Sequence, residues 1–214
     1  MDETEWMTHE DIQLECMQPS DHWVDAGTGS LGRIYLEVLG CDGLPNLDTG
    51  GFLGNKTDAF VSLVFEDCYV RTDTIDDCLS PRWLPWMRRA FIFNIYHSSS
   101  QLLLGVFDYD AGFDDHDLIG RVSVDISNLR NYSEYVLCYT IYPSARISGR
   151  SPGGQITIRL RLEIPDERKI VLSTLEPPPP FYVNVKKRKD FRVVRSTCIG
   201  KFDYEKYSIK TIKS

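Results

Sequence analysis

The sequence predicts an all-β fold, an eight-stranded antiparallel β-sandwich with a flexible N-terminal and a basic C-terminal extension, and three observations carry that prediction. Apolar residues recur at every second position through the middle of the chain, as in Ile156, Ile158, Leu160, Leu162 and Ile164 against Gln155, Thr157, Arg159, Arg161 and Glu163. A period of two puts one set on each face of a strand. The runs are short and broken by many of the chain's 15 glycines and 11 prolines, which disfavours the long helical crossovers of a parallel sheet. No apolar run approaches the roughly 18 residues that a bilayer-crossing helix needs, so the chain as given reads as soluble.

Residues 1–30 hold eight acids and no Lys or Arg. Helical hints from Thr8 to Met17 are weak, and the segment is expected to be a largely disordered lead. It lacks the basic and apolar parts of a signal peptide. Gly27-Thr28-Gly29-Ser30-Leu31-Gly32 has the form of a dinucleotide-binding loop, but that motif follows a strand and opens a helix, whereas this one precedes a strand.

The first strand is Arg33 to Leu39, with Ile34, Leu36 and Val38 inward. A stretch rich in Gly, Asn and Asp runs from Cys41 to Asp58 and leads into a strand from Ala59 to Phe65. Cys68 to Thr74 returns, and Asp76 to Trp86 is an irregular connection anchored by Trp83 and Trp86. Phe91, Phe93 and Ile95 resume the alternation. Leu102, Leu104 and Val106 continue it, and Val122, Val124 and Ile126 take it up again after an acidic break. Glu134 to Tyr142 and Gln155 to Ile164 complete the eight. Past Pro165 the composition changes, with a stiff spacer at Pro177 to Pro180, a basic run at Lys186, Lys187, Arg188 and Lys189, and a short hairpin of Tyr182 to Val185 against Phe191 to Val194.

The chain therefore divides into an acidic segment 1–30, a domain 31–164, and a linker with a basic tail 165–214. The domain holds 17 acids and 12 bases, and the tail 6 acids and 12 bases, so the three parts carry net −8, −5 and +6. Six cysteines without a C-x-x-C pair suggest neither zinc nor a dense disulfide frame, which fits a reduced, cytoplasmic protein. In that setting the sequons at Asn55 and Asn131 are chance matches. The four histidines and the serines form no catalytic motif, so no enzyme is expected, and neither a nucleic acid nor a small-molecule substrate.

The acidic break is the most informative stretch. Asp108-Tyr109-Asp110-Ala111-Gly112-Phe113-Asp114-Asp115-His116-Asp117 places five carboxylates in ten residues with no Lys or Arg. Carboxylates held this close repel one another unless a hard cation neutralises them, and Ca²⁺ takes six to eight oxygens in flexible geometry. An EF-hand is excluded by spacing: counted from Asp108, position five is Gly112, position six is Phe113 and position twelve is Ile119, where that loop needs acid or Asn, Gly and Glu. The flanks alternate as strands rather than helices.

Arg33-Ile34-Tyr35-Leu36-Glu37-Val38 before Gly43-Leu44-Pro45, Thr57-Asp58-Ala59-Phe60-Val61, Ser80-Pro81-Arg82-Trp83 before Phe91-Ile92-Phe93, Val106-Phe107-Asp108-Tyr109-Asp110 and Asp117-Leu118-Ile119-Gly120 together resemble the C2 domain, a membrane-targeting β-sandwich. The resemblance covers residues 31–164 and implies the circularly permuted, phospholipase-like strand order. It also implies calcium held between two loops, by Asp48 and Asp58 from the first and Asp108, Asp110 and Asp117 from the third. The carbonyls of Leu47, Tyr109 and His116 would add ligands. Asp48 and Asp58 lie farther apart than is usual in the family, and Asp114 and Asp115 can replace or supplement Asp117.

The function so implied is calcium-dependent binding to anionic phospholipid membranes, at the inner face of a membrane when calcium is bound. Phe52, Leu53 and Phe113 at the loop tips and Lys186, Lys187, Arg188 and Lys189 in the tail would meet the lipid. The alternative is a calcium-independent protein-interaction or regulatory segment of a larger enzyme or trafficking protein. The basic strand that some C2 domains use for phosphoinositides is not evident, since Cys68 to Thr74 offers only Arg71.

Overall fold

The structure is a computed structural model that describes residues 7–47, 56–110, 116–144, 153–175, 182–185 and 191–194. In chain order its elements are α1 (His9–Cys16), β1 (Val24–Ala26), β2 (Gly32–Asp42), β3 (Ala59–Phe65), β4 (Cys68–Arg71), β5 (Ala90–Ile95), β6 (Gln101–Asp108), β7 (Asp117–Asp125), β8 (Glu134–Thr140), β9 (Tyr142–Pro143), β10 (Gln155–Glu163), α2 (Glu167–Ser173), β11 (Tyr182–Val185) and β12 (Phe191–Val194). The eight alternating runs all become strands. Two five-stranded sheets result, ordered β1-β5-β2-β10-β8 and β4-β3-β6-β7-β9, and β11 pairs with β12 as a separate hairpin. The short β1 is additional to those eight runs, and the run expected from Glu134 to Tyr142 divides at Ile141 into β8 in one sheet and the start of β9 in the other.

The alternation does what a period of two requires. Ile34, Leu36 and Val38 of β2 and Ile156, Ile158, Leu160 and Leu162 of β10 are buried, facing Val61, Leu63, Leu104 and Val106 of the second sheet in one apolar core. β3 is buried along its whole length, because β4 and β6 flank it and its outer face holds Phe60, Ser62 and Val64. The Ser62 hydroxyl there is 2.9 Å from the Tyr69 phenol. Trp83 anchors the β4–β5 connection as expected, with no exposed surface and its indole N–H donating to the Asp73 carbonyl at 2.8 Å. Trp86 does not: it is 52% exposed.

The segment before the sandwich departs most from expectation. Where the sequence reads as a largely disordered lead, residues 9–16 form α1, capped by a reciprocal Thr8–Asp11 box, and β1 adds to the sheet parallel to β5. The cause is tertiary. Arg89, wholly buried, donates to the Cys16 carbonyl at 2.7 Å, the Trp83 carbonyl at 2.6 Å and the Ser20 hydroxyl at 2.7 Å, and it pairs with Glu37 at 3.3 Å. Glu37 also accepts from the Ser20 backbone N–H at 2.8 Å and from Arg159 at 2.6 Å, and Arg159 reaches on to the Met17 carbonyl. Burial holds the Arg89 guanidinium below its ordinary pKa range, with Glu37 opposing that shift. A polar segment with little propensity of its own is thus ordered by a charged network that satisfies its backbone carbonyls.

The glycine motif ends this strap. Gly27 takes φ +86°, and a Cβ on Gly29 would lie 2.1 Å from the Ile95 carbonyl carbon, so these glycines serve a tight backbone crossing rather than a phosphate.

Candidate metal centre

β2 rises toward one end of the sandwich, and because its neighbours are antiparallel, the β2–β3, β4–β5 and β6–β7 connections all gather at that end. Asp58 immediately precedes β3, Asp108 closes β6 and Asp117 opens β7. Ala59 is opposite Asp108, and Asp108 is opposite Asp117, so adjacent strand ends set Asp108 across from Asp117, with Asp58 one position before Ala59 on the neighbouring strand. The Asp58 backbone N–H donates to Asp108 Oδ1 at 2.8 Å, and the Tyr109 N–H donates to the Asp58 carbonyl at 2.9 Å. Asp108 is only 1% exposed, while Asp58, Asp110 and Asp117 are half-buried.

Two further contacts shape the loops. The Asp110 N–H donates to His116 Nδ1 at 3.3 Å, and the His116 ring stacks on Tyr109 at 4.7 Å and meets Phe60 edge-on at 5.2 Å. His116 thereby closes the base of the third loop. In the first loop the fully buried Thr57 hydroxyl donates to the Pro45 carbonyl at 2.8 Å and accepts from the Leu47 N–H at 3.3 Å. That pin holds Leu47 beside the strand that Asp58 opens.

The structure adds a carboxylate that sequence reasoning missed. Asp77, in the β4–β5 connection, donates its N–H to Asp58 Oδ1 at 2.7 Å and accepts from the Lys56 N–H at 2.7 Å. Its φ of +54° turns the chain sharply at this point. The only local signal was the adjacent pair Asp76-Asp77 in a connection read as irregular. Arg71, the lone base of its strand, lies over the Phe60 ring at 5.3 Å.

Asp48, Phe52, Leu53, Phe113, Asp114, Asp115 and Lys186, Lys187, Arg188 and Lys189 lie outside the described residues. Among the described residues no group of three or more His, Cys, Asp or Glu side chains is arranged to hold a metal ion. The donor chemistry that is described nonetheless fits a hard cation: carboxylate oxygens from neighbouring strand ends, one of them buried, with Asp108, Asp110 and Asp117 in a stretch with no Lys or Arg between Arg89 and Arg121.

Two facing sheets that present carboxylate-bearing loops at one end define a loop-presenting β-sandwich, a scaffold whose site lies on loops above a rigid frame. The sequence model of the C2 domain matches residues 32–141, and the chain belongs to the C2 domain family. It is 28% identical over 141 residues to Protein QUIRKY of Arabidopsis thaliana, covering 63% of this chain and 13% of that protein. It is 28% identical over 150 residues to a multiple C2 and transmembrane domain-containing protein of Drosophila melanogaster, covering 69% of this chain and 15% of that protein. The chain thus spans a small part of these relatives' length. Among solved structures it resembles a C2 domain of plant Extended Synaptotagmin 1, with a TM-score of 0.54 at 15% identity over 64% of this chain and 98% of that one. Human GIVD cytosolic phospholipase A2 resembles it with a TM-score of 0.51 at 20% identity, over 74% of this chain and 18% of that one. A calcium-bound structure of two C2 domains of Extended Synaptotagmin 2 resembles it with a TM-score of 0.50 at 19% identity, over 62% of this chain and 45% of that one. Among the described residues no helix is long and apolar enough to cross a membrane.

Proposed function

We propose that residues 31–164 form a calcium-dependent module that binds anionic phospholipid and brings the chain to the cytoplasmic face of a membrane, acting as a binding domain and not as a catalyst. The observation that carries the reading is the alignment of Asp58, Asp108 and Asp117 on adjacent strand ends, with Asp108 buried and hydrogen-bonded to the Asp58 backbone. Asp110 would join them, as would Asp48 and one or more of Asp114 and Asp115, with carbonyl oxygens of Leu47, Tyr109 and His116. Asp77 stands close enough to Asp58 to hold that carboxylate in place. The calcium-bound state of the Extended Synaptotagmin 2 domains supports the same reading.

Charge explains the dependence. The region 31–164 carries net −5 and is repelled by an anionic bilayer. About two or three bound Ca²⁺ would bring it to near neutrality, with the positive charge concentrated at the loop end. Apolar tips at Phe52, Leu53 and Phe113 would then enter the interface, and the basic run at residues 186–189 would add attraction. Co-sedimentation of the full chain with phosphatidylserine-containing liposomes tests this. Binding in calcium and release by chelator are expected. Binding that is equal in calcium and chelator, or absent in both, would overturn it and leave the calcium-independent interaction segment as the reading to pursue.

A further inference from the structure

Among the described residues the sandwich leaves one long strand edge open. β8 ends its sheet, pairing only with β10, and among the described residues its far edge makes no backbone hydrogen bond. The other sheet edges are managed: β1 and β9 have three and two residues, and the side chains of β4 are mostly buried. β8 has seven residues, Glu134-Tyr135-Val136-Leu137-Cys138-Tyr139-Thr140, none of them buried, and Val136 is 50% exposed. It contains no Lys, Arg or Pro, the residues with which an edge is usually protected from pairing. Leu137 and Tyr139 face the core yet are only partly covered.

The order of side chains identifies the occupant. Antiparallel pairing with a second β8 about a two-fold axis at Leu137 sets Tyr135 opposite the partner's Tyr139, Val136 opposite the partner's Cys138 and Leu137 opposite its own copy. Glu134, the strand's one charge, then faces Thr140 rather than another carboxylate. Aromatic with aromatic, small apolar with small apolar and no like-charge pair is the cross-strand pattern that stabilises a sheet, and a surface that matches itself closes as a two-fold dimer.

We propose that this chain forms a symmetric dimer through antiparallel β8–β8 pairing, joining two five-stranded sheets into one of ten. Because strands run in opposite directions across that seam, the carboxylate-bearing loops of the two copies point away from each other. A dimer with opposed loops can hold two membranes at once. This second consequence rests on the membrane reading above; the seam does not.

Light scattering on the size-separated full chain, in chelator, tests the seam alone. A concentration-dependent dimer is expected, and the double variant Val136→Glu with Cys138→Glu, whose residue 136 faces Arg159 within its own sheet, should weaken it about tenfold or more, by placing like charges directly opposite across the seam. Both positions are solvent-facing, and a parent-like far-ultraviolet circular dichroism spectrum with a cooperative melting transition confirms that the variant folds. A short bismaleimide should link Cys138 to the partner's Cys138, since diagonal cross-strand neighbours lie roughly 7–8 Å apart, and peptide mapping identifies that pair. A parent chain that stays monomeric at every concentration, or a dimer that the double variant leaves intact, would overturn the seam. With calcium, the parent should cluster phosphatidylserine vesicles and the variant should bind them without clustering. A dimer that binds vesicles yet leaves them dispersed would overturn the opposed arrangement. A dimer that binds no vesicles would sink the membrane reading and leave the seam standing.

Discussion

Replacing Asp108 by Asn separates the structural role of the most buried carboxylate at the loop end from the metal-binding role proposed for it. Asn has nearly the same shape and keeps an oxygen to accept the Asp58 N–H, now 2.8 Å from Asp108 Oδ1. That bond weakens on losing its charge, by about 1 kcal/mol, while repulsion from Asp58, Asp110 and Asp117 is relieved by a comparable amount. In chelator the variant should therefore match the parent to within about 1 kcal/mol. Calcium should part them. A ligand at 100 times its dissociation constant stabilises the parent by about 2.7 kcal/mol, and at about 2–4 °C per kcal/mol for a chain of this size its melting temperature should rise by about 5–11 °C. The variant should gain less than half of that. Differential scanning calorimetry of both proteins, in chelator and in millimolar calcium, gives all four values. An undiminished calcium shift in the variant would refute the assignment of Asp108, and a large loss of stability in chelator would show that its role is to hold the loops.

Arg89→Met should destabilise the chain by about 3–5 kcal/mol, because Glu37 is left buried with a lost partner and the Cys16 and Trp83 carbonyls lose their donor; a denaturant midpoint within error of the parent's would contradict this, and Arg159→Met should cost less. Glu66, whose carboxylate accepts from the Tyr96 and His97 N–H groups and the Ser100 hydroxyl, is pushed by burial up to about 7 from 4.5. A raised folded pKa means stability that is present at low pH and lost as pH rises from about 4.5 through about 7. The melting temperature should fall across that window, and Glu66→Gln should flatten the fall; an equally steep profile in the variant would exclude Glu66 as its source. Changing Phe52, Leu53 and Phe113 to Ser should leave calcium affinity in solution intact and weaken liposome binding about tenfold, given roughly 1.5–3 kcal/mol for each fully buried side chain and less at the interface; undiminished binding would show that the tips stay out of the lipid. Deleting residues 181–214 should reduce both binding and its salt dependence, at about 1 kcal/mol per basic residue near the surface, and identical salt curves would mean that the run is merely solvated.

What the sequence made legible is local in origin. The strands could be read because burial on one face imposes a period of two, and the β6–β7 connection because an acidic break separates two alternating runs. Asp108 and Asp117 could be paired by eye, since one ends a strand and the other begins the next. The strap could not be read, because its order comes from Arg89 and Arg159, which lie 73 and 142 positions from the carbonyls of Cys16 and Met17 that they hold. Both arginines look like ordinary surface charges in the sequence. Asp77 was missed for the same reason, its tie to Asp58 crossing 19 residues, and β1 is too short to show any alternation at all. Trp86 shows the reverse failure: residue type alone argues for burial, and only the folded connection reveals that Trp83 is buried while Trp86 is exposed.

The strap also has a mechanical meaning. α1 lies at the loop end, where Arg82 donates to Gln13 at 3.1 Å, and the chain then descends beside β5, while β10 leaves the domain at the far end. Tension between the two termini would therefore run along the strand axes. β1, pulled parallel to β5, would be loaded in shear with its residue pairs strained together, rather than peeled one at a time. The contact of Arg82 with Gln13 would meet the load first, and then the guanidinium of Arg89, gripping Cys16 and Ser20 above that short pairing. The N-terminal segment then acts as a latch, whose rate of opening under force is set by an unfolding barrier and not by equilibrium stability.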